Sequence, residues 1–499
     1  MVKKHTVCVW LLLSILLTVS QMLHAQQTLT LEDCRTRAIE GNKQIQIKLA
    51  EQKLAKETRQ STRMLYLPKL NLQGAYLRTN EELSLLNNDQ KAMFGNMGTS
   101  LSGTLQQNVP NLITSLAQQG IITPAQAQGL AQMAGQSLPQ LQQSLNQLGE
   151  EVVDAFRTDS RNLMVGSVNL TQPLYTGGKI SAANKMADLN EELSATQIEL
   201  TEDELVKKTD EAYWLVVSLR HKERLAASYR DLLQHLDEDV QKMIREGVAT
   251  KADGLSVSVK LNEAEMTLTQ VENGLVLSRM ALCQLCGMPV DSQITLVDEQ
   301  KEDLEDSGET PVASIEQVWE NRPELKILRT ARQITDQKVR MAKADYIPTL
   351  ALTAGYTLTN PNLLNGFQKR FGGIWHVGAL LSMPLSNIWE NRPKVAAART
   401  QGNIYDLKRE DAESLIGLQV RQNEFRLSES RKKLKMTEKN IASADENLRS
   451  ANLGFSEGVF TVTTVMEAQT AWLKAKSQQI DAQIDVRLAI SELSKSMGL

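Results

Sequence analysis

Aromatic side chains are scarce, 4% of 499 residues, and the hydrophobic share is only 41%. Ordinary globular domains of that total length would need thicker cores than this supply allows. A basic surplus is missing too. Once Lys3 and Lys4 are set aside with the leader described below, 53 basic residues face 59 acidic ones. With no dense basic run either, the composition argues against a nucleic-acid surface. Histidine nearly vanishes: beyond the leader only His221, His235 and His376 remain, far apart in sequence. Of the four cysteines, Cys8 lies in the leader, Cys34 stands alone, and Cys283 and Cys286 form a CxxC without two further ligands for a metal. Spacing i, i+3 puts that pair on one helical face, where cysteine acts as a small apolar residue. Neither metal nor cofactor is expected. No phosphate-cradling glycine loop, HExxH or nucleophile elbow occurs, so the chain does not read as an enzyme.

What is present begins with an address. Lys3, Lys4 and His5 precede an apolar core from Val7 to Val19, and Leu23-His24-Ala25 reads as a signal-peptidase site. Residues 1–25 are therefore expected to be a cleaved signal peptide, with the mature chain starting at Gln26. Beyond it no stretch approaches the ~20 apolar residues of a membrane helix.

The remainder repeats itself. Tyr66-Leu67-Pro68-Lys69-Leu70 returns as Tyr346-Ile347-Pro348-Thr349-Leu350, an offset of 280, which also carries Glu40-Gly41-Asn42 onto Glu320-Asn321-Arg322. Leu170-Thr171-Gln172-Pro173-Leu174 returns as Leu381-Ser382-Met383-Pro384-Leu385 at 211, as do Glu246-Gly247-Val248 in Glu457-Gly458-Val459 and Gly287 in Gly498. The offset drops once, by 69, so the first copy carries one extra block, between about 85 and 160. The predicted organisation is a first repeat over 26–289, an acidic linker over 290–311 and a second repeat over 312–499.

Each copy reads helix, strand, loop, strand, very long helical segment. Leu70, Leu72, Gly74 and Tyr76 alternate with Asn71, Gln73 and Ala75, and Leu350, Leu352, Ala354 and Tyr356 with Thr349, Thr353 and Gly355. Met164, Val168 and Leu170 alternate with Ser167, Asn169 and Thr171, while Trp375, Val377, Ala379 and Leu381 alternate with His376 and Gly378. A period of two, apolar against polar, fits strands with lipid on one face and water on the other. Pro68, Pro173, Pro348 and Pro384 are expected at the four helix–strand junctions. The proline-free stretches that follow show heptads: Leu219, Ala226, Leu233, Val240; Leu261, Leu268, Leu275, Leu282; and Leu427, Leu434, Ile441, Leu448, Phe455. Sustained sevens impose a left-handed supercoil, and Gly247 and Gly458 fall where each long helix must reverse. Four strands leave open edges that lipid cannot satisfy. Three copies give 12 strands, an even-numbered closed barrel, so a homotrimer is expected.

In its duplicated strand–helix unit, Tyr-x-Pro entries, x-Pro-Leu exits, Gly-Val turns and Cys286-Gly287-Met288-Pro289, the chain resembles TolC-like outer-membrane efflux proteins over nearly all of 29–499. The resemblance implies an α plus membrane β-barrel fold: a trimer with a 12-stranded outer-membrane barrel on a periplasmic α-helical coiled-coil tunnel. It also implies a periplasmic adaptor and an inner-membrane pump, commonly of the resistance–nodulation–division type, that supplies the energy and selects the cargo. By position, the adaptor-facing turns are Gly247-Val248 and Gly458-Val459. The family's two constriction carboxylates map onto Thr464 and Glu467, so one is absent here. Asp253 matches an acidic partner in the gate lock, whereas the lock's arginine and tyrosine map onto Phe460 and Phe455. On their own residues, Asp253 reads equally as a helix cap, Glu467 as a solvated charge, and the phenylalanines as packing.

The extra block is rich in Gln, Leu, Ala and Ser, and Thr123-Pro124 reads as a helix start, with a helix expected over about 124–150. Outside the cell it could plug the barrel or contact a surface partner. The acidic run from Asp298 to Glu309 reads as a solvated linker. The structural alternative for the chain is a periplasmic coiled-coil scaffold without a barrel; the four alternating strands speak against it.

Overall fold

The computed structural model describes residues 27–80, 86–156, 161–301, 304, 309–362 and 369–499. The signal peptide over 1–25 and several residues of the acidic run therefore lie outside the described residues. The described chain forms two compact units.

One unit, residues 63–180 and 343–391, holds the main sheet. Its strands are β2 (Lys69–Arg78), β3 (Asn162–Tyr175), β5 (Thr349–Asn360) and β6 (Gly372–Ser382), following a short β1 (Gln27–Leu29) and β4 (Ile294–Leu296) that belong elsewhere. They pair antiparallel in the order β2-β3-β5-β6. Among the described residues, β2 and β6 have no partner on their outer sides. The alternation foreseen strand by strand is continuous across all four. Leu72 stands opposite Val168, Val168 opposite Tyr356, and Tyr356 opposite Trp375, while one residue along, Asn71, Asn169, Gly355 and His376 fall in line. One face is thus apolar and the other polar. Two cross-strand rings cover glycines, so that a Cβ on Gly373 would lie 2.0 Å from the Tyr356 hydroxyl and one on Gly355 2.5 Å from the His376 ring.

Three of the four prolines stand where expected: Pro68 and Pro348 just before β2 and β5, and Pro384 just after β6. Pro173 does not. It lies within β3, where the register shifts between Pro173 and Tyr175. A β-bulge tolerates the missing N–H, which lets the strand run two residues past the proline.

Between β2 and β3 the described part of the extra block holds three helices, beyond the single helix expected. It contains α3 (Asn88–Gly95), α4 (Met97–Gln118) and α5 (Pro124–Ala155), after α1 (Leu31–Gly41) and α2 (Lys43–Arg63). Thr123 caps α5 in a reciprocal box with Gln126 and Pro124 occupies its first turn. Two glycines admit the close approach: a Cβ on Gly98 would meet the Gln142 carbonyl at 2.2 Å, and one on Gly149 the Phe94 carbonyl at 1.9 Å.

The other unit is helical apart from the parallel pair β1–β4. α6 (Lys179–Arg245) has 67 residues and α10 (Asn387–Ser456) has 70. Each is roughly 100 Å long at 1.5 Å per residue. α7 (Lys251–Leu285) and α11 (Val462–Ser496) return from them and have 35 residues each. α8 (Ile315–Asn321) and α9 (Pro323–Ala344) mirror α1 and α2 in the second copy. Most heptad positions are buried: Ala226, Leu233 and Val240, then Leu275 and Leu282, then Leu427, Ile441 and Leu448 lie below 10% exposure, while Leu219, Leu261, Leu268, Leu434 and Phe455 are half-buried. Each copy closes on a left-handed glycine. Gly287 (φ 68°) has no room for a Cβ, which would come within 2.6 Å of the Gly41 backbone, and Gly498 (φ 71°) meets Asn321 at 2.9 Å.

The cysteines are structural, with a changed grouping. Cys34, solitary in sequence, sits beside Cys286, whose thiol donates to the Cys34 carbonyl at 3.6 Å, whereas Cys283 donates to Ser292 O at 3.7 Å. The hydrogen bond with Cys286, together with burial, pushes the Cys34 thiol up, and burial does the same for Cys283. No group of three metal-binding side chains occurs among the described residues. The start of the acidic run is also held in place rather than solvated. Glu299 is buried, pairs with Arg279 at 2.6 Å and accepts the Leu296 N–H, while Asp298 accepts the Tyr213 hydroxyl at 2.6 Å.

Candidate functional site: the ends of the helical hairpins

Both long hairpins reverse in five residues by the same device. Gly247 (φ 76°) and Gly458 (φ 73°) take the left-handed conformation that ends a helix. The N–H groups of Val248 and Val459 then reach back six residues' span, to Met243 O and Gly454 O, each at 2.8 Å. Thr250 and Thr461 start the returning helices by accepting from the N–H of Asp253 and Thr464. Val248 and Val459 are left projecting, 71% and 74% exposed.

Behind the tips the two hairpins share one apolar cluster. Leu236, Val240, Val257, Val462 and Val465 are buried, with Ile244, Ala249, Phe455 and Met466 packed against them. Phe455 is therefore a packing residue of the shared end. Phe460 lies over Gly454, where a Cβ would come within 2.4 Å of its ring, and remains 43% exposed. Asp253 takes part in its cap through one carboxylate oxygen: Oδ2 accepts the Thr250 hydroxyl at 2.6 Å and the Thr250 N–H at 3.0 Å. Those two bonds hold its carboxyl below the usual range. Thr464 donates its N–H to the Thr461 hydroxyl at 3.3 Å, and Glu467, one turn on, is exposed. The candidate residues thus divide. Phe455 and Phe460 form the apolar end, Asp253 and Thr464 take part in caps, and Glu467 is an exposed carboxylate one turn further on.

Sequence reasoning missed a groove between the ends of α6 and α10, 700 Å³ in volume and lined by His235, Asp239, Lys242, Met243, Ser456 and Gln469 among others. Gln469 is 2% exposed, and its Oε1 has no partner. No local pattern marks Gln469, because its burial arises from two hairpins far apart in sequence.

A sheet with one apolar and one polar face and two open edges, joined to helical hairpins of about 100 Å, is the build of a membrane channel protomer whose barrel closes between copies. A family model, outer membrane efflux protein, matches residues 122–288 and 314–499. Among curated proteins, the alkaline protease secretion protein AprF of Pseudomonas aeruginosa is 24% identical over 377 residues, 72% of this chain and 77% of the relative. The outer membrane protein TolC of Vibrio cholerae is 20% identical over 346 residues, 68% of this chain and 77% of the relative. Among solved structures, the outer-membrane channel OprN superposes with a TM-score of 0.70 at 14% identity, covering 94% of this chain and 89% of that one. The chain belongs to the outer membrane efflux protein family. It is a channel of the outer membrane, with the family's fold of strand barrel and helical tunnel.

Proposed function

We propose that this protein is the passive outer-membrane duct of a tripartite efflux or type I secretion system, and not an enzyme. Three copies close 12 strands into one barrel. The apolar face that runs through Leu72, Val168, Tyr356 and Trp375 meets lipid, and the polar face through Asn71, Asn169 and His376 lines the water-filled bore. The observation that carries this reading is the two-faced register of a four-stranded sheet, shifted at the Pro173 bulge, whose outer edges are unpaired among the described residues. Lipid offers no hydrogen bonds, so those edges must meet other copies.

A periplasmic adaptor docks at the exposed Gly247-Val248 and Gly458-Val459 tips and along the groove that holds Gln469. An inner-membrane pump, of the resistance–nodulation–division or the secretion type, drives the cargo. Entry is closed by apolar packing of Phe455 and Phe460 in place of an arginine lock, with three Glu467 carboxylates drawing cations to the mouth. The family relation to both a secretion protein and efflux channels supports the duct role. Residues 1–25 serve as the export signal, the two repeats span 26–289 and 312–499, and the block at 85–160 lies outside the cell. The deciding experiment is fractionation with gel analysis in mild detergent. The expected protein is a trimer of the outer membrane that conducts in planar bilayers. Release by high salt without detergent, or a stable monomer with full strand content, would overturn the reading.

A further inference from the structure

The helical block between β2 and β3 is devoid of charge for its core length: residues 92–149 contain no Asp, Glu, Lys, Arg or His. Its helices nevertheless carry large apolar side chains without a partner in the chain. Leu130, Met133, Leu141 and Leu148 lie 44%, 68%, 42% and 53% exposed on α5, and Leu112 is 60% exposed on α4. The α5 residues recur at helical spacing and form one stripe. Elsewhere on the same hairpin, Val109, Pro110, Ile113, Leu138 and Pro139 border a 240 Å³ groove between α4 and α5. At 100° per residue, stripe and groove are centred about 120° apart around α5.

A protrusion and a groove on different sides of one element make a heterologous pair, and such a pair closes a ring when repeated by rotation. The hairpin also springs from β2, the strand whose free edge meets the next copy in the closed barrel. Three copies of the hairpin are therefore held close around one axis. Charges would then face like charges, and there are none. A hairpin made to lie on a membrane would instead carry Lys and Arg along its polar side. We propose that the three hairpins pack on one another, stripe into groove, as a six-helix collar that continues the duct beyond the barrel. The occupant of each exposed stripe is a second copy of this chain. This inference rests on the trimeric reading above.

Pulsed electron spin resonance on the full-length protein in nanodiscs separates the two. A label at Arg78→Cys on β2 reports the barrel, and one at Gln119→Cys reports the hairpin tip, beside Gly120 (φ 70°) in the turn. The native Cys34, Cys283 and Cys286 are buried and stay unlabelled. The collar requires one narrow inter-copy distance at the tip, no longer than that at the base. Replacing the stripe by Leu130→Gln, Met133→Gln, Leu141→Gln and Leu148→Gln should leave the base distance intact and at least double the width of the tip distribution. A resolved base distance with broad or longer tip distances in the unsubstituted stripe would overturn the collar alone, as would a tip distance indifferent to the four glutamines or a tip label quenched by lipid-dissolved oxygen. Absence of any distance at the base would instead overturn the trimer.

Discussion

The two repeats agree at one end and differ at the other. At the hairpin turns they share the same devices, a left-handed glycine, a projecting valine, a threonine cap and a 35-residue return helix, although Ala249 stands opposite Phe460 and Asp253 opposite Thr464. Between the strands they diverge. Residues 79–161 separate β2 from β3, whereas only 361–371 separate β5 from β6. Sequence is held strictly where the backbone must reverse sharply and two hairpins share one core. It is free where a loop joins neighbouring strands, since lengthening a loop costs only about 0.6 kcal/mol per doubling.

The sharpest test of the matched features is at the closing glycines. Gly287→Ala forces a Cβ against the Gly41 backbone at a positive φ and should cost about 2–4 kcal/mol, from strain and overpacking together. Gly498→Ala meets only the Asn321 side chain and should cost less; chemical denaturation of the two variants compares them, and an equal loss would mean the two closures are equivalent. At the turns, Phe460→Ala removes the partly buried ring from Gly454. Losing about 1 kcal/mol of apolar burial should raise single-channel conductance or open probability about fivefold, while Phe460→Arg should lower it by pairing with Asp253. A wider channel in Asp253→Ala than in Phe460→Ala would reverse that assignment.

Next come the caps. Thr250→Ala and Thr461→Ala should each cost about 1 kcal/mol, read as a drop in thermal unfolding midpoint. Only the first should show pH dependence in the parent protein. The Asp253 carboxyl is held below its usual value by Thr250, so its contribution is complete at neutral pH and is lost on acidification below about pH 4. Asp253→Ala itself should barely change conductance. The smallest effect belongs to the unmatched end. Deleting 90–155 should leave outer-membrane yield, trimer and export intact, because the second copy manages with a short loop; loss of the protein from the membrane would make the block part of the scaffold.

Much of this was legible because it depends on period and repetition. Heptad positions that are mostly buried, and strand faces aligned across the register, need only the chain's own geometry. What escaped depends on partners distant in sequence. Pro173 looked like a strand end because nothing local announces a bulge against Ala351. Residues 88–118 hid two helices, since Gly, Asn, Thr and an interior Pro110 lower propensity that packing on α5 restores. Glu299 and Asp298 looked solvated until Arg279 and Tyr213, from other helices, came to meet them. At the tips, position found the turns, and Asp253 makes the capping bonds with Thr250 that its place in the first helical turn suggests.

The equal return helices carry an evolutionary consequence. α7 and α11 both have 35 residues, five heptads, and begin from caps 211 residues apart. A single-residue insertion in either arm would rotate the downstream seam by about 100° and shift one tip against the cluster that the two hairpins share. Tolerated length changes should therefore arrive as whole heptads, paired in the descending and returning arms, and in both repeats at once. A lineage that needs a longer or shorter reach must change four helices in step, whereas the loop between β2 and β3 can acquire a new element in a single event.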